Sequence, residues 1–369
     1  MNTLSDEMKH FSLFCPHCKK KIAFELSVVD LENSYIGETA KITLGAHGSP
    51  EHTVDVYIDR DGLIRSAFAN FEKYQPKVTL QNTYITDATS ELNPKEGEAI
   101  GVKVVPFTIS FDDSPYLNYN DEIYFRDVYE AMKANKKIQS KPVSVKSFYD
   151  AYKSSPPEKP IIVLTISKRY SEGYKNAVKA RDMLLKEEPD FAKNIHIIDT
   201  KTTGPMMKLM MQTAISMDES GQSLDEIIEY MNWIREKHIT YIYVDSLTAL
   251  RRSERVGRVT TFFGNLLGLK PIIIENENNN GDLKPFKTVR SKKEAISEII
   301  KAVRKQFGYV KLTGVIFYGI NIDDAHAMQD VLREDSSIEE NDFTMDFIGT
   351  GVAIHLSFDI LGIALYPNL

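Results

Sequence analysis

Ile161-Ile162-Val163-Leu164-Thr165-Ile166 runs directly into Ser167-Lys168-Arg169-Tyr170-Ser171-Glu172-Gly173-Tyr174, and this junction decides the fold class. An apolar run interrupted by a single threonine has no polar face, as expected of a strand covered on both sides. The hydroxyl-rich segment after it leads into a helical pattern through Ala177, Val178 and Leu184. His196-Ile197-Ile198-Asp199 and Tyr241-Ile242-Tyr243-Val244-Asp245 repeat the buried-strand form. Between them, Ser223-Leu224-Asp225-Glu226 is a capping box, with Leu224, Ile227, Ile228, Met231 and Ile234 on one helical face. Alternating strands and helices predict an α/β fold with a parallel sheet. Ligands of such sheets sit beyond the C-terminal ends of the strands, which points to Ser167–Tyr174. Hydroxyls and free N–H groups at a helix start make an anion site there, although Ser171 taken alone reads better as a helix cap.

Upstream, Thr83-Tyr84-Ile85-Thr86-Asp87 reads as a strand, and Val102 to Ile109 as an extended run that Pro106 confines to an edge or a strand end. Residues 20–75 differ in character. They supply the short runs Ile22–Leu26, Ala40–Leu44, Thr53–Ile58 and Leu63–Ala67, spaced for antiparallel hairpins. Asp59-Arg60-Asp61-Gly62 is turn chemistry, since the later ligands of a calcium loop are missing. Tyr74-Gln75-Pro76-Lys77 marks the boundary of this β-rich module.

The same module holds both cysteines, in Cys15-Pro16-His17-Cys18. Two thiolates at this spacing can share a structural zinc, with His17, His47 and His52 as the remaining local candidates and His47 and His52 completing the expected set. A redox pair would open a helix, whereas Lys19 to Leu26 reads as a strand; a plain reduced turn also stays open.

The chain has 369 residues, with 45 basic and 52 acidic side chains for a net charge of −7, and 42% of it is apolar. That composition excludes wholesale disorder, and two cysteines exclude a disulfide framework. No apolar run approaches the roughly 18 residues of a membrane helix, and Met1–Glu7 lacks the basic flank of a secretory signal. A soluble, cytoplasmic, multidomain protein is expected. Arg251, Arg252, Arg255 and Arg258 form a basic patch, but the acidic balance favours a partner protein or phosphate over nucleic acid. Met206, Met207, Leu209, Met210, Met211, Ala214, Ile215 and Met217 make a helix apolar around most of its girth, suited to a core or an adaptable ligand wall.

From about Gln81 to the C-terminus, the order of motifs resembles the DegV family of fatty-acid-binding proteins. Tyr84–Thr89 resembles its opening strand and "TDSS/T" segment, Gly101–Phe107 its "GI-VVPL" run, and Ser140-Lys141-Pro142 occupies the place of "TSQP". Ile166–Tyr174 resembles "SSxLSGTY", Leu250–Val256 "LxxGGRI" and Leu266–Ile272 "LLxIKPI". Lys287–Lys293 resembles "KVRTKK" and Ile354-His355-Leu356 the "HxGPG" end.

The resemblance implies a two-lobed α/β fold with a mainly parallel sheet in the first lobe. It divides the chain into a β-rich module at 1–76 and lobes at 77–240 and 241–369. It further implies one long-chain fatty acid enclosed between the lobes, no catalytic residue, and presentation of the acid to a separate fatty acid kinase. The ligand-binding residues it implies are Gln139, Ser140, Ser167, Lys168, Ser171, Arg290 and His355. Departures from the family pattern put Gln139 where a threonine is usual and Lys168 in place of a second serine. Glu172 and Glu254 replace glycines, and Ser357-Phe358-Asp359 replaces the terminal "GPG". Added carboxylates repel a bound carboxylate, and the Lys168 ammonium can compensate. His355 is expected after an apolar strand, Gly351–Ile354. The rival reading is an enzyme related to the dihydroxyacetone kinase substrate lobe, with His196 or His355 holding substrate. It lacks a phosphate-cradling glycine loop and an acidic metal cluster.

Overall fold

The computed structural model describes residues 8–14, 21–33, 35–36, 39–47, 52–59, 64–70, 80–119, 125–245, 269–276, 281–308, 310–319, 321–334 and 342–368. Cys15, Cys18, the Tyr74–Lys77 boundary and the arginines from Arg251 to Arg258 lie outside them.

The N-terminal module is β-rich. Strands β1 (Met8–Phe14) and β2 (Lys21–Ser27) pair antiparallel on either side of the Cys15–Cys18 segment. After α1 (Val28–Asn33) come β3 (Tyr35–Ile36), β4 (Thr39–His47), β5 (His52–Asp59) and β6 (Ile64–Asn70), an antiparallel meander in chain order. Val54, Val56 and Ile58 alternate into its core, as a period of two requires. His47 and His52 are backbone partners at the end of the β4–β5 ladder.

The first α/β lobe begins at β7 (Thr83–Asp87), followed by α2 (Pro94–Ala99), β8 (Val102–Val105), β9 (Thr108–Phe111) and β10 (Leu117–Asn118). It continues through α3 (Phe125–Lys133), β11 (Ile138–Lys141), α4 (Val145–Lys153) and β12 (Ile161–Thr165). Then come α5 (Gly173–Glu187), α6 (Pro189–Lys193), β13 (Ile195–Asp199), α7 (Gly204–Glu219) and α8 (Leu224–Lys237). Strands β13-β12-β7-β8 form a four-stranded sheet in which every pairing is parallel. Its central strand β12 is buried at every position, which its unalternating apolar sequence requires. The Val102–Ile109 run is two strands, not one. Pro106 has no N–H to donate, and beyond it β9 leaves for a separate antiparallel sheet with β10 and β11.

The second lobe comprises β14 (Ile239–Val244), β15 (Lys270–Asn276), β16 (Lys284–Val289), α9 (Lys292–Phe307) and β17 (Leu312–Tyr318). It closes with α10 (Ile322–Glu334), β18 (Asp342–Phe347), α11 (Thr350–Leu356) and β19 (Ile360–Pro367). Its six strands run β16-β15-β14-β19-β17-β18, and only β17 and β18 pair parallel. Strand β14 is therefore antiparallel to both neighbours, unlike its look-alikes in the first lobe. An apolar run reports burial, not direction. Residues 351–354 also depart from expectation, forming the body of helix α11 rather than a strand.

Helix α7 lies between the two sheets. It touches β7 and β12 on one side and β17 and β19 on the other, so Met206, Met207, Met210, Met211 and Ala214 are all essentially inaccessible. This explains a helix that is apolar on more than one face. Its C-terminal turn is tied to the first sheet through Asp218, whose carboxylate accepts from the Asn82 N–H (3.0 Å), the Asn82 amide (3.0 Å) and the Tyr84 hydroxyl (3.0 Å). Thr213 and the Tyr366 hydroxyl, 3.1 Å apart, tie it to the second.

Candidate ligand-binding site

The C-terminal ends of the parallel strands face the flat side of the six-stranded sheet across a cavity of ≈ 980 Å³, open space at its mouth included. The first lobe contributes strand ends and helix starts. Asp87 ends β7 and Thr89 follows it, Ile166, Tyr170, Ser171 and Gly173 follow β12, and Thr202 to Met206 join β13 to α7. The second lobe contributes a wall: Ile242 of β14, Phe317 of β17 and Ala364 of β19, closed over by Ile348, Val352 and Leu356 around α11.

The first residues of α5 and α7, Gly173 and Gly204, both line the cavity. Two helix N-termini thus bring the positive ends of their dipoles to one place, which favours an anion there. The β13–α7 junction needs glycine at 204, where φ is +62°.

Of the residues singled out in the sequence, Ser140, Ser171 and His355 line the cavity. Ser171 also accepts from the Gly173 N–H (3.2 Å), so it braces the start of α5 while facing the site. Gln139 is exposed, because alternation along β11 turns it outward when Ser140 turns inward. Ser167 is fully buried below the loop and is not among the lining residues. Its N–H donates to the Thr202 carbonyl (2.9 Å), and its hydroxyl accepts from the Arg169 N–H (3.2 Å). Lys168 lies outside the cavity with its ammonium 3.5 Å from buried Asp199. Glu172 pairs with Lys175 at 2.9 Å, with its side chain more than half exposed. Arg290 is exposed; its backbone N–H donates to Glu294 (2.8 Å). His196 sits half-buried on β13, away from the cavity, with burial lowering its pKa.

Lys141 and His355 are the basic side chains among the described lining residues. Lys141, next to Ser140, holds its ammonium 3.7 Å from the centre of the Tyr116 ring. Asp87 organises this end. Its carboxylate accepts from the Thr89 N–H (3.0 Å) and hydroxyl, and from the Ile166 N–H (2.9 Å), joining the ends of β7 and β12. Burial pushes its pKa above the usual carboxylate value.

Helix α11, which carries His355, is positioned through Gly349 and Glu91. A Cβ at Gly349 would overlap the Glu91 carboxylate, so a larger residue there has to displace that side chain. Glu91 itself adopts φ +65° and is pushed well above its ordinary pKa by burial and by nearby Asp346. Asp346 pairs with Lys208 of α7 at 2.9 Å, so the same buried group joins α7, β18 and the turn after β7.

Fold and cavity together define a two-lobed α/β ligand-enclosing protein whose polar contacts come from strand ends. The family model described as "Uncharacterised protein, DegV family" matches residues 83–368, and the chain belongs to that family. A DegV domain-containing protein of Staphylococcus aureus is 27% identical over 286 residues, covering 76% of this chain and 95% of the relative. Among solved structures, a fatty-acid-binding DegV family protein from Thermus thermophilus is similar with a TM-score of 0.68 and 24% identity. That match covers 78% of this chain and 99% of the other. A stearic acid-binding protein from Eubacterium ventriosum has a TM-score of 0.69 and 22% identity, covering 78% and 98%. The β-rich module, residues 8–70 as described, precedes the matched region.

Proposed function

We propose that this chain binds one long-chain fatty acid without turning it over. The carboxylate lies among Ser140, Ser171 and His355, with Lys141 beside it, and the acyl chain lies against the sheet of the second lobe. The observation that carries this reading is the cavity itself: an apolar wall from one lobe faces hydroxyls and two helix N-termini from the other. The fatty acids bound by the Thermus and Eubacterium proteins support the same ligand class. Each buried methylene contributes about 0.8 kcal/mol, so affinity of delipidated protein should rise roughly fourfold per methylene until the cavity is filled. Calorimetric titration with saturated acids of increasing length tests this; affinity independent of length would overturn it.

Within this reading the protein is a cytoplasmic carrier that hands its acid to a separate fatty acid kinase. The supporting facts are the family resemblance and, among the described residues, the absence of any helix long and apolar enough to cross a membrane. Acyl phosphate formation by an added bacterial fatty acid kinase should depend on this protein. A structural zinc held by Cys15, Cys18, His47 and His52 is a separate proposal, supported by the backbone pairing of the two histidines. No group of three potential metal ligands occurs among the described residues, and elemental analysis of chelator-free protein decides the matter.

A further inference from the structure

We propose that the cavity is built for an acyl chain bearing a hydroxyl along its length, received by Thr240 and Glu275. The inference rests on the acyl-binding reading and specifies its ligand.

Strand β14 sends Thr240 and Ile242 to the same face of the sheet, and both line the cavity. Ile242, Phe317 and Ala364 make that face apolar. Thr240 does not, although a valine would fill the same space. Thr240 is 6% exposed, and its hydroxyl has no hydrogen-bond partner among the described residues. A buried hydroxyl left unpaired is costly and uncommon.

Directly opposite Thr240 in the β14–β15 ladder stands Glu275, 2% exposed and also on the cavity wall. One of its carboxylate oxygens accepts from the Tyr170 hydroxyl, and the other lies 3.3 Å from His238 Nε2. His238 Nδ1 is 3.3 Å from the Ile234 carbonyl, which can only accept, so Nδ1 carries a proton. The Glu275 carboxylate is thus contacted from two sides, by the Tyr170 hydroxyl and by His238 Nε2. This fixes the carboxylate in place and leaves each of its oxygens room for a second acceptor bond.

Cross-strand partners hold their Cβ atoms about 4.5–5.5 Å apart. One oxygen atom can bridge that gap. A hydroxyl on the ligand donates to Glu275 and accepts from Thr240, meeting both needs at once. A methylene at the same point meets neither. The carboxylate end of the cavity is a different place, formed by Ser140, Ser171 and His355, so the hydroxyl is a second point of recognition.

The test compares octadecanoic acid with hydroxyoctadecanoic acids bearing the hydroxyl near the carboxyl, at mid-chain and at the ω end. Affinities are measured by calorimetry on delipidated protein, with thermal melts confirming that each variant folds. The wild type should bind one positional isomer about tenfold more tightly than the unsubstituted acid. Thr240→Ser should keep that preference. Thr240→Val should lose it and bind the unsubstituted acid more tightly. Equal affinity for every isomer, or a preference that survives Thr240→Val, overturns the proposal while leaving fatty acid binding intact. Failure of every acid to bind overturns the acyl-binding reading and this inference together.

Discussion

The two lobes build the cavity by different means. The first lobe presents ends: residues at and after the ends of β7, β12 and β13, where hydroxyl side chains and the starts of α5 and α7 meet. The second presents a face: Ile242, Phe317 and Ala364, fixed by the strand pleat and unable to move without shifting the sheet. Ends suit recognition of a charged head group, and a face suits an alkyl chain. The division of labour follows from where a parallel sheet gathers its strand ends and helix starts and where an antiparallel sheet buries its side chains.

The comparison breaks most completely at the segment that joins the lobes. Gly349→Val forces the Glu91 carboxylate to move and should cost about 2 kcal/mol of stability by urea denaturation. The next effect belongs to the polar end alone. Replacing Ser140 and Ser171 together by alanine should weaken fatty acid binding at least tenfold, at about 1.5 kcal/mol or more per charged hydrogen bond, and change the melting temperature little. Removing Gln139 or Lys168, which lie outside the cavity, should change affinity less than twofold; a larger loss from either would redraw the polar end.

A smaller effect concerns pH. The folded-state pKa of Glu91 lies above its unfolded value because burial disfavours the carboxylate. The native state therefore holds the proton longer than the unfolded chain. Stability from this group is present below the unfolded pKa and falls as pH rises through the folded one. Glu91→Gln removes that loss, so its urea midpoint should gain on the wild type as pH rises through that window. Glu96, Lys208, Asp346 and Tyr119 act on the same buried cluster, which makes the difference between proteins, not the absolute curve, the quantity to read.

Much of the first lobe was legible because its strands are short, apolar and flanked by polar turns. Thr83–Asp87 is a strand with the expected ends, and the strand expected over 161–166 ends one residue earlier, at Thr165. The antiparallel setting of β14 was not legible, since direction depends on partners more than a hundred residues away such as β19. Gly351–Ile354 misled for another reason: four apolar residues fit one turn of buried helix as well as a strand. Within the site, motif order pointed to Gln139, Ser140, Ser167, Lys168, Ser171, Arg290 and His355, of which Ser140, Ser171 and His355 line the cavity. It could not separate Lys141, which lines the cavity, from Lys168, which turns to Asp199, because a loop's side-chain directions follow its tertiary hydrogen bonds. Thr240 and Glu275 carry no local signal at all; only strand pairing makes them neighbours.

Photolabelling tests the central claim most directly. A long-chain fatty acid with a diazirine near its ω end is bound, irradiated and located by peptide mass spectrometry. The account predicts labels on β14, β17 and β19, suppressed by excess unlabelled fatty acid. Labels confined to exposed surface, or labels that excess acid does not suppress, would contradict a chain enclosed between the lobes.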